Sequence, residues 1–349
     1  MARVVIVGSG LMGTAMAWPL LDNGHSVAIV GTHLDDWIID SLLASRYHPT
    51  LMRKVPPKAT FHYIHELPSV IQDADIVVNG VSSFGIHWIA DTLSAHLSRG
   101  QQVVSLTKGL LSDEQGRVVY FPDYIYDKLS PSVREGSAVV AVGGPCIAGE
   151  LAARRETCVM FGSRNRAAAK RCAALFGTSY YHVFPTDDVM TLELGVALKN
   201  AYTVAVGIAY GMHTPDEADM GMHNTAAALF AQGCHEMGYI IKKLGGDERQ
   251  SSALPGAGDL FVTSAGGRTM TLGRLLGEGK SYGQAKEVLE GVTLESVQII
   301  NEMATVLEGT WIGEYSIDAG HLPLLRTLVD VIVHNKPVEF RYESFFTAH

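Results

Sequence analysis

Residues 192–202 read Leu192-Glu193-Leu194-Gly195-Val196-Ala197-Leu198-Lys199-Asn200-Ala201-Tyr202, a helical pattern in which a lysine sits among apolar neighbours. Such a helix offers Lys199 little water, and an ammonium buried without a partner is costly. The lysine must therefore shed its proton or gain an anion. Either state suits catalysis, since a neutral amine exchanges a proton with a hydroxyl and a charged one polarises a carbonyl. The competing reading is a lysine that lays its stem on apolar surface and keeps its head in water. Downstream, Leu254-Pro255-Gly256-Ala257-Gly258-Asp259-Leu260-Phe261-Val262-Thr263 places a carboxylate after a glycine turn. Asp259 either caps a helix N-terminus or holds the amine of a buried lysine. Gly266-Gly267-Arg268 sets a guanidinium beside permissive backbone, as a fork for phosphate requires.

A second group of residues lies near the start of the chain. Gly8-Ser9-Gly10-Leu11-Met12-Gly13 follows an apolar β-type run and precedes a helical pattern, the setting in which GxGxxG binds a dinucleotide. The first glycine allows the tight turn, the second lets backbone approach a pyrophosphate, and the third lets helix and strand pack closely. NAD binding asks for an acidic residue about 20 residues further on, at the end of the second strand. Val30-Gly31-Thr32-His33 stands there instead, with Asp35 and Asp36 slightly late and no arginine for a 2′-phosphate, so NAD and NADP both remain open. Lys108-Gly109 and Gly143-Gly144-Pro145-Cys146 each follow a predicted strand, at the carboxyl edge where open α/β sheets bind ligands. No histidine is linked to Cys146 by spacing, which favours a structural or substrate-lining thiol over a nucleophile.

The elements that must position these groups fall into two halves. Predicted strands at Arg3–Val7, Ser26–Val30, Ala59–Tyr63, Asp75–Val81, Gln102–Thr107, Ala138–Gly143, Thr157–Phe161 and Tyr180–Phe184 alternate with helical segments. Several are apolar on both faces, as in a doubly wound sheet with helices on each side. From about Asp187 the pattern becomes helical, at Thr191–Met212, Ala218–Lys243, Thr269–Glu278, Tyr282–Leu289 and Leu294–Leu307. The expected organisation is a Rossmann-like α/β domain over residues 1–186 and an all-helical domain over residues 187–349.

Composition narrows the function classes. The chain has 349 residues and 36 glycines, about a tenth against an average near 7%, a surplus that suits site-building loops. Its formal charge of −9 argues against nucleic acid or an anionic membrane as partner, and leaves an anionic ligand to a few placed cations. The 4 cysteines show no CxxC spacing, as expected of free thiols in a reducing compartment. Glycines break the apolar N-terminal run, and no uninterrupted apolar run approaches the ~18–20 residues of a membrane span, so a soluble, cytoplasmic protein is expected. Neither HExxH nor GxSxG occurs and the histidines are scattered, so no metal site is expected.

With these motifs in order, the chain resembles the NAD(P)-dependent glycerol-3-phosphate dehydrogenases over nearly its whole length. The likeness is carried by GSGLMGTAMA at the start, KG at Lys108, GPCIAGELA from Gly144, DDVMTLELGVALKNAYTVAVGIAYG from Asp187, NTAAALFAQGCHEM from Asn224, LPGAGDLFVTSAGGR from Leu254 and EGVT from Glu290. It implies that Lys199 gives and takes the proton, with Asp259 close by. It implies substrate contacts from Lys108, Gly144, Cys146, Asn200, Thr263, Arg268 and Thr269. Cofactor contacts are expected from Gly8, Gly10, Leu11, Met12, Gly13, Thr32, Lys108, Ala148, Arg268 and Glu290. The implied cofactor is NAD or NADP, and the implied assembly a homodimer acting on a small phosphorylated polyol or ketone. Three positions depart from the family's pattern. Cys146 stands where bacterial members commonly have serine, Thr269 replaces an asparagine that helps hold the substrate phosphate, and Thr32 replaces an arginine or histidine near the adenosine ribose, which tilts the reading slightly to NAD. The alternatives are the same chemistry on another polyol or sugar phosphate or a related hydroxy compound without phosphate, and a non-catalytic dinucleotide sensor.

Overall fold

The computed structural model describes residues 1–113, 118–212, 221–307 and 317–346. It divides into two compact units, Met1–Lys108 with Tyr120–Val189, and Gly109–Val119 with Met190–His349. A single cut in the chain does not express this, because the strand Leu110–Ser112 packs on the helix Glu295–Leu307 of the second unit.

The first unit is built on eight strands, β1 (Arg3–Val7), β2 (Ser26–Val30), β3 (Ala59–His62), β4 (Ile76–Asn79), β5 (Gln102–Ser105), β6 (Val139–Gly143), β7 (Thr157–Gly162) and β8 (Tyr181–Thr186). They lie in the order β8-β7-β6-β5-β4-β1-β2-β3. Each runs parallel to its neighbours except at β6–β7, where Val142 opposes Phe161 in an antiparallel pair. The link from β6 to β7 holds only the five-residue helix Ala148–Ala152, too short to carry the chain back along the sheet, so β7 returns in the opposite direction. β1 sits between β2 and β4, with Val5 opposite Ala28 and Val77. That makes the carboxyl end of β1 the point where the strand order reverses, the place at which such sheets receive ligands. Ile6, Ile29, Ile76, Val104 and Val140 fill the core, together with the edge-to-face set of Phe161, Phe176 and Tyr181. This is the Rossmann-like doubly wound arrangement expected from two-sided apolar strands.

Two helices of this unit matter for the site, α1 (Leu11–Ala15) and α2 (Asp36–Ser45). The second unit is helical, with α3 (Val189–Gly211), α4 (His223–Lys243), α5 (Asp259–Ser264), α6 (Arg268–Gly277), α7 (Tyr282–Val288), α8 (Glu295–Leu307) and α9 (Pro323–Ile332). The start expected for the next helix, Ala218, lies outside the described residues; α4 runs His223–Lys243 with Met222 at its N-cap. α3 is long and apolar enough to cross a membrane although charged residues interrupt its apolar run, but its apolar window is wholly buried, as in a core helix.

α3 and α6 meet backbone to backbone. A Cβ placed on Gly211 would stand 2.1 Å from Arg274 O, one on Gly273 2.4 Å from Val204 O, and one on Gly277 2.1 Å from Ile208 O. Part of the glycine surplus is thus spent on helix packing rather than on loops. The contact locks the helix that carries Lys199 to the helix that opens with Arg268.

Candidate active site

Lys199 lies one turn beyond Gly195 on α3, and this spacing brings its partner into reach. A Cβ on Gly195 would stand 3.1 Å from Pro255, so the missing side chain admits the π-helical turn Leu254–Gly258 against α3. That turn delivers Asp259 as the first residue of α5, with Gly258 at the N-cap. Asp259 is therefore not the helix cap, and its carboxylate is aimed at the lysine. Lys199 Nζ donates to Asp259 Oδ1 at 3.0 Å and to Thr263 Oγ1 at 2.7 Å. Thr263 Oγ1 in turn donates to Asp259 O at 2.7 Å, one helical turn away. Lys199 is 6% and Asp259 2% exposed, so the ammonium is a buried, paired group and not one that reaches solvent. Asn200, next on α3, is buried as well.

Other expected substrate residues of this unit lie at the start of α6. Gly267, at φ +93°, is the N-cap, and Arg268 follows with its guanidinium exposed. Its Nη1 donates to Thr293 Oγ1, which ties it to the segment between α7 and α8 that also carries the exposed Glu290. Arg268 and Glu290, both expected at the cofactor, are thus gathered in one region. Thr269 is half-buried on α6.

In the first unit the glycine loop is shaped as its spacing predicts. Gly8 adopts φ +103°, and a Cβ on Gly13 would stand 2.3 Å from Gly8 O. A Cβ on Gly10 would meet nothing within 4 Å. Gly8 and Gly13 therefore close the strand–helix contact while Gly10 leaves backbone open at the switch point. This cradle fits the pyrophosphate of a dinucleotide. Leu11 is exposed, and Met12, Cys146 and Ala148 pack against the unit's apolar core. Lys108 Nζ reaches Gly144 O at 3.4 Å, which joins two expected substrate residues.

Thr32 is buried, its Oγ1 accepting from Leu34 N–H at 3.2 Å. Asp35, slightly late in the sequence for a ribose contact, reaches back across the turn. One carboxylate oxygen accepts from Thr32 N–H at 3.0 Å and from Ser9 N–H at 3.1 Å. Its signal in the sequence was the acidic pair itself, and what spacing could not give was the fold-back. Clefts of about 430 Å³ beside Asp123 and Arg164, and of about 350 Å³ beside Arg326 and Lys336, are lined by none of the expected site residues. Among the described residues no cluster of histidine, cysteine and carboxylate could hold a metal ion.

Two family models cover the chain, the NAD-dependent glycerol-3-phosphate dehydrogenase N-terminus over residues 3–169 and C-terminus over residues 188–341. The chain belongs to this dehydrogenase family. It is accordingly an NAD(P)-dependent oxidoreductase acting on a CH–OH group. The NADP(+)-dependent glycerol-3-phosphate dehydrogenase of Archaeoglobus fulgidus is 36% identical over 82% of this chain and 83% of its own length. The glycerol-3-phosphate dehydrogenase [NAD(P)+] of Staphylococcus saprophyticus is 30% identical over 97% and 96%. The fold is shared with the Plasmodium falciparum glycerol-3-phosphate dehydrogenase, at TM-score 0.82, 18% identity and 100% and 96% coverage. The Coxiella burnetii dehydrogenase shares it at TM-score 0.78, 22% identity and 96% of both chains.

Proposed function

We propose that this dehydrogenase interconverts sn-glycerol 3-phosphate and dihydroxyacetone phosphate, with Lys199 as proton donor and acceptor. The observation that carries this reading is the buried Lys199, hydrogen-bonded to both Asp259 and Thr263. Bound NAD(P)H supplies the hydride. As it arrives at the carbonyl carbon, charge develops on oxygen, and an ammonium held in low dielectric stabilises that charge and then gives up its proton. In the oxidising direction the amine takes the hydroxyl proton. Asp259 holds the amine in place and balances its charge, and Thr263, fixed by its bond to the Asp259 carbonyl, sets the direction in which the remaining N–H points. Asn200, Lys108, Arg268 and Thr269 are the proposed substrate contacts, with the cations meeting the phosphate in a chain of net charge −9.

The glycine loop, Thr32, Ala148, Arg268 and Glu290 are the proposed cofactor contacts. NAD is favoured over NADP in this proposal. A 2′-phosphate at the end of β2 would approach the Asp35 carboxylate, and Arg46 is already engaged by the carbonyls of Val55 and Ala59. Oxidation of a panel of polyols and their phosphates with each cofactor tests the assignment. It predicts highest kcat/KM for sn-glycerol 3-phosphate with NAD. No activity on that substrate, beside strong activity on a longer polyol phosphate, would replace it.

A further inference from the structure

Ser9, between the first two glycines of the loop, is gripped at both of its peptide groups. Its N–H donates to Asp35, as described above, and its carbonyl accepts from Thr14 Oγ1 at 3.1 Å and lies 2.7 Å from His48 Nε2. His48 belongs to the two-residue strand Tyr47–His48 after α2 and is fully buried. Its tautomer follows from its other ring nitrogen. Leu51 N–H donates to Nδ1 at 3.0 Å, so Nδ1 carries the lone pair, Nε2 carries the proton, and the neutral ring donates to Ser9. Burial pulls the pKa of the imidazole below its ordinary value, which keeps it in this form.

In a trans peptide the C=O and N–H point in opposite directions. Anchoring the Ser9 carbonyl inward, on buried His48 and Thr14, therefore turns the Gly10 N–H outward, and that N–H has no partner among the described residues. Space beside it is open, since a Cβ on Gly10 would meet nothing within 4 Å. We infer that His48 is a positioning residue for the dinucleotide, fixing the Ser9–Gly10 peptide so that the Gly10 N–H is already aimed at the pyrophosphate. The inference rests on the reading of the glycine loop as the pyrophosphate site. A peptide that is free to rotate has to be ordered when the ligand binds, and that cost appears as lost affinity.

Two substitutions separate the ring's two hydrogen bonds. His48→Asn keeps an acceptor for Leu51 but is too short to reach Ser9, whereas His48→Gln places an amide donor where Nε2 stood. Dissociation constants for NADH, NADPH and ADP-ribose are measured by calorimetry, with kcat at saturating cofactor and KM for the polyol phosphate beside them. The expected result is a loss of about tenfold in affinity for His48→Asn, the scale of one buried hydrogen bond. The factor is the same for all three ligands because they share the pyrophosphate. kcat and the polyol KM stay within about twofold, and His48→Gln recovers most of the loss. Thr14→Val, which removes the carbonyl's other donor at nearly constant volume, weakens the same three ligands. The proposal is overturned if folded His48→Asn binds all three as the wild type does, or if His48→Gln is no better than His48→Asn. Gly10→Asp distinguishes the two levels of failure. If it binds NADH normally, the loop reading falls and the role of His48 with it. If it loses NADH while His48→Asn does not, only the role of His48 falls.

Discussion

Replacing Asp259 by asparagine removes a carboxylate charge from beside a buried ammonium, and the size of the effect can be worked out in advance. Lys199 Nζ and Asp259 Oδ1 are 3.0 Å apart, with side chains 8% and 3% exposed. At an effective dielectric of ~20 that separation corresponds to a gross attraction of about 5–6 kcal/mol, most of which offsets the desolvation of the two ions. Removing one partner of a buried pair costs roughly 3–5 kcal/mol. Titration sets a ceiling on this cost. A lysine with an unfolded pKa of ~10.4 sheds its proton at pH 7 for about 4–5 kcal/mol and at pH 9 for about 2 kcal/mol. The folded Asp259→Asn variant then binds one proton fewer than its unfolded chain, so its stability rises with pH across this window relative to wild type, by up to about 3 kcal/mol. Lys199→Met has the opposite sign, because a buried carboxylate deprived of the neighbouring cation takes up a proton on folding. The double variant Lys199→Met/Asp259→Leu replaces the pair by apolar groups and should fall within about 2 kcal/mol of wild type while being inactive. Urea denaturation of the four proteins at pH 7 and pH 9 reads all of this. Single variants that each cost less than about 1 kcal/mol, or a double variant no more stable than the worse single one, would refute the reasoning.

Thr263→Val removes a hydrogen bond to Lys199 Nζ and should lower kcat about tenfold while Thr263→Ser stays near wild type; equal kcat in steady-state assays of all three proteins would contradict the orienting role. Gly13→Ala places a Cβ 2.3 Å from Gly8 O and should abolish NADH binding by fluorescence titration, with a lowered Tm; normal binding would show that the loop does not depend on this contact. Glu236 on α4 is buried against Tyr202, Gln232 and the first amides of α9, and burial pushes its carboxyl from the ordinary 4.5 up to about 7. The folded state then holds a proton that the unfolded state releases, so this contribution to stability is fully present below about pH 4.5 and is lost as pH rises through about 7, by about 3 kcal/mol at most. Denaturation curves of Glu236→Gln should lack that part of the pH slope, and an identical slope in both proteins would count against it.

The eight strands were legible because a run apolar on both faces fits the middle of a covered sheet, and the sequence spans of β1 and β2 match the structure residue for residue. The direction of β7 was not legible, since it follows from the length of a connection and not from the strand's own residues. α9 went unread because the helical pattern was not followed past Leu307, although Pro323 in its first turn marks a helix start. The glycine surplus was read too narrowly. Gly207 and Gly211, like Gly273 and Gly277, stand four apart, and this spacing announces close helix packing rather than a ligand loop. Lys199 was legible because an apolar helix makes any lysine conspicuous, and Asp259 because it followed a glycine turn. The sequence left open whether Asp259 capped its helix, which only the placement of Gly258 at the N-cap resolves. His48 carried no signal. It lies in the unpatterned stretch Arg46-Tyr47-His48-Pro49-Thr50, and its contact with Ser9 spans 39 residues.

The central claim, that Lys199 moves the proton, is tested most directly by turnover of Lys199→Ala with sn-glycerol 3-phosphate at saturating cofactor. The account predicts a fall in kcat of about 10²–10⁴-fold, the usual contribution of a positioned acid–base group, with the dissociation constant for NADH unchanged. A folded Lys199→Ala protein that turns over near the wild-type rate would contradict it.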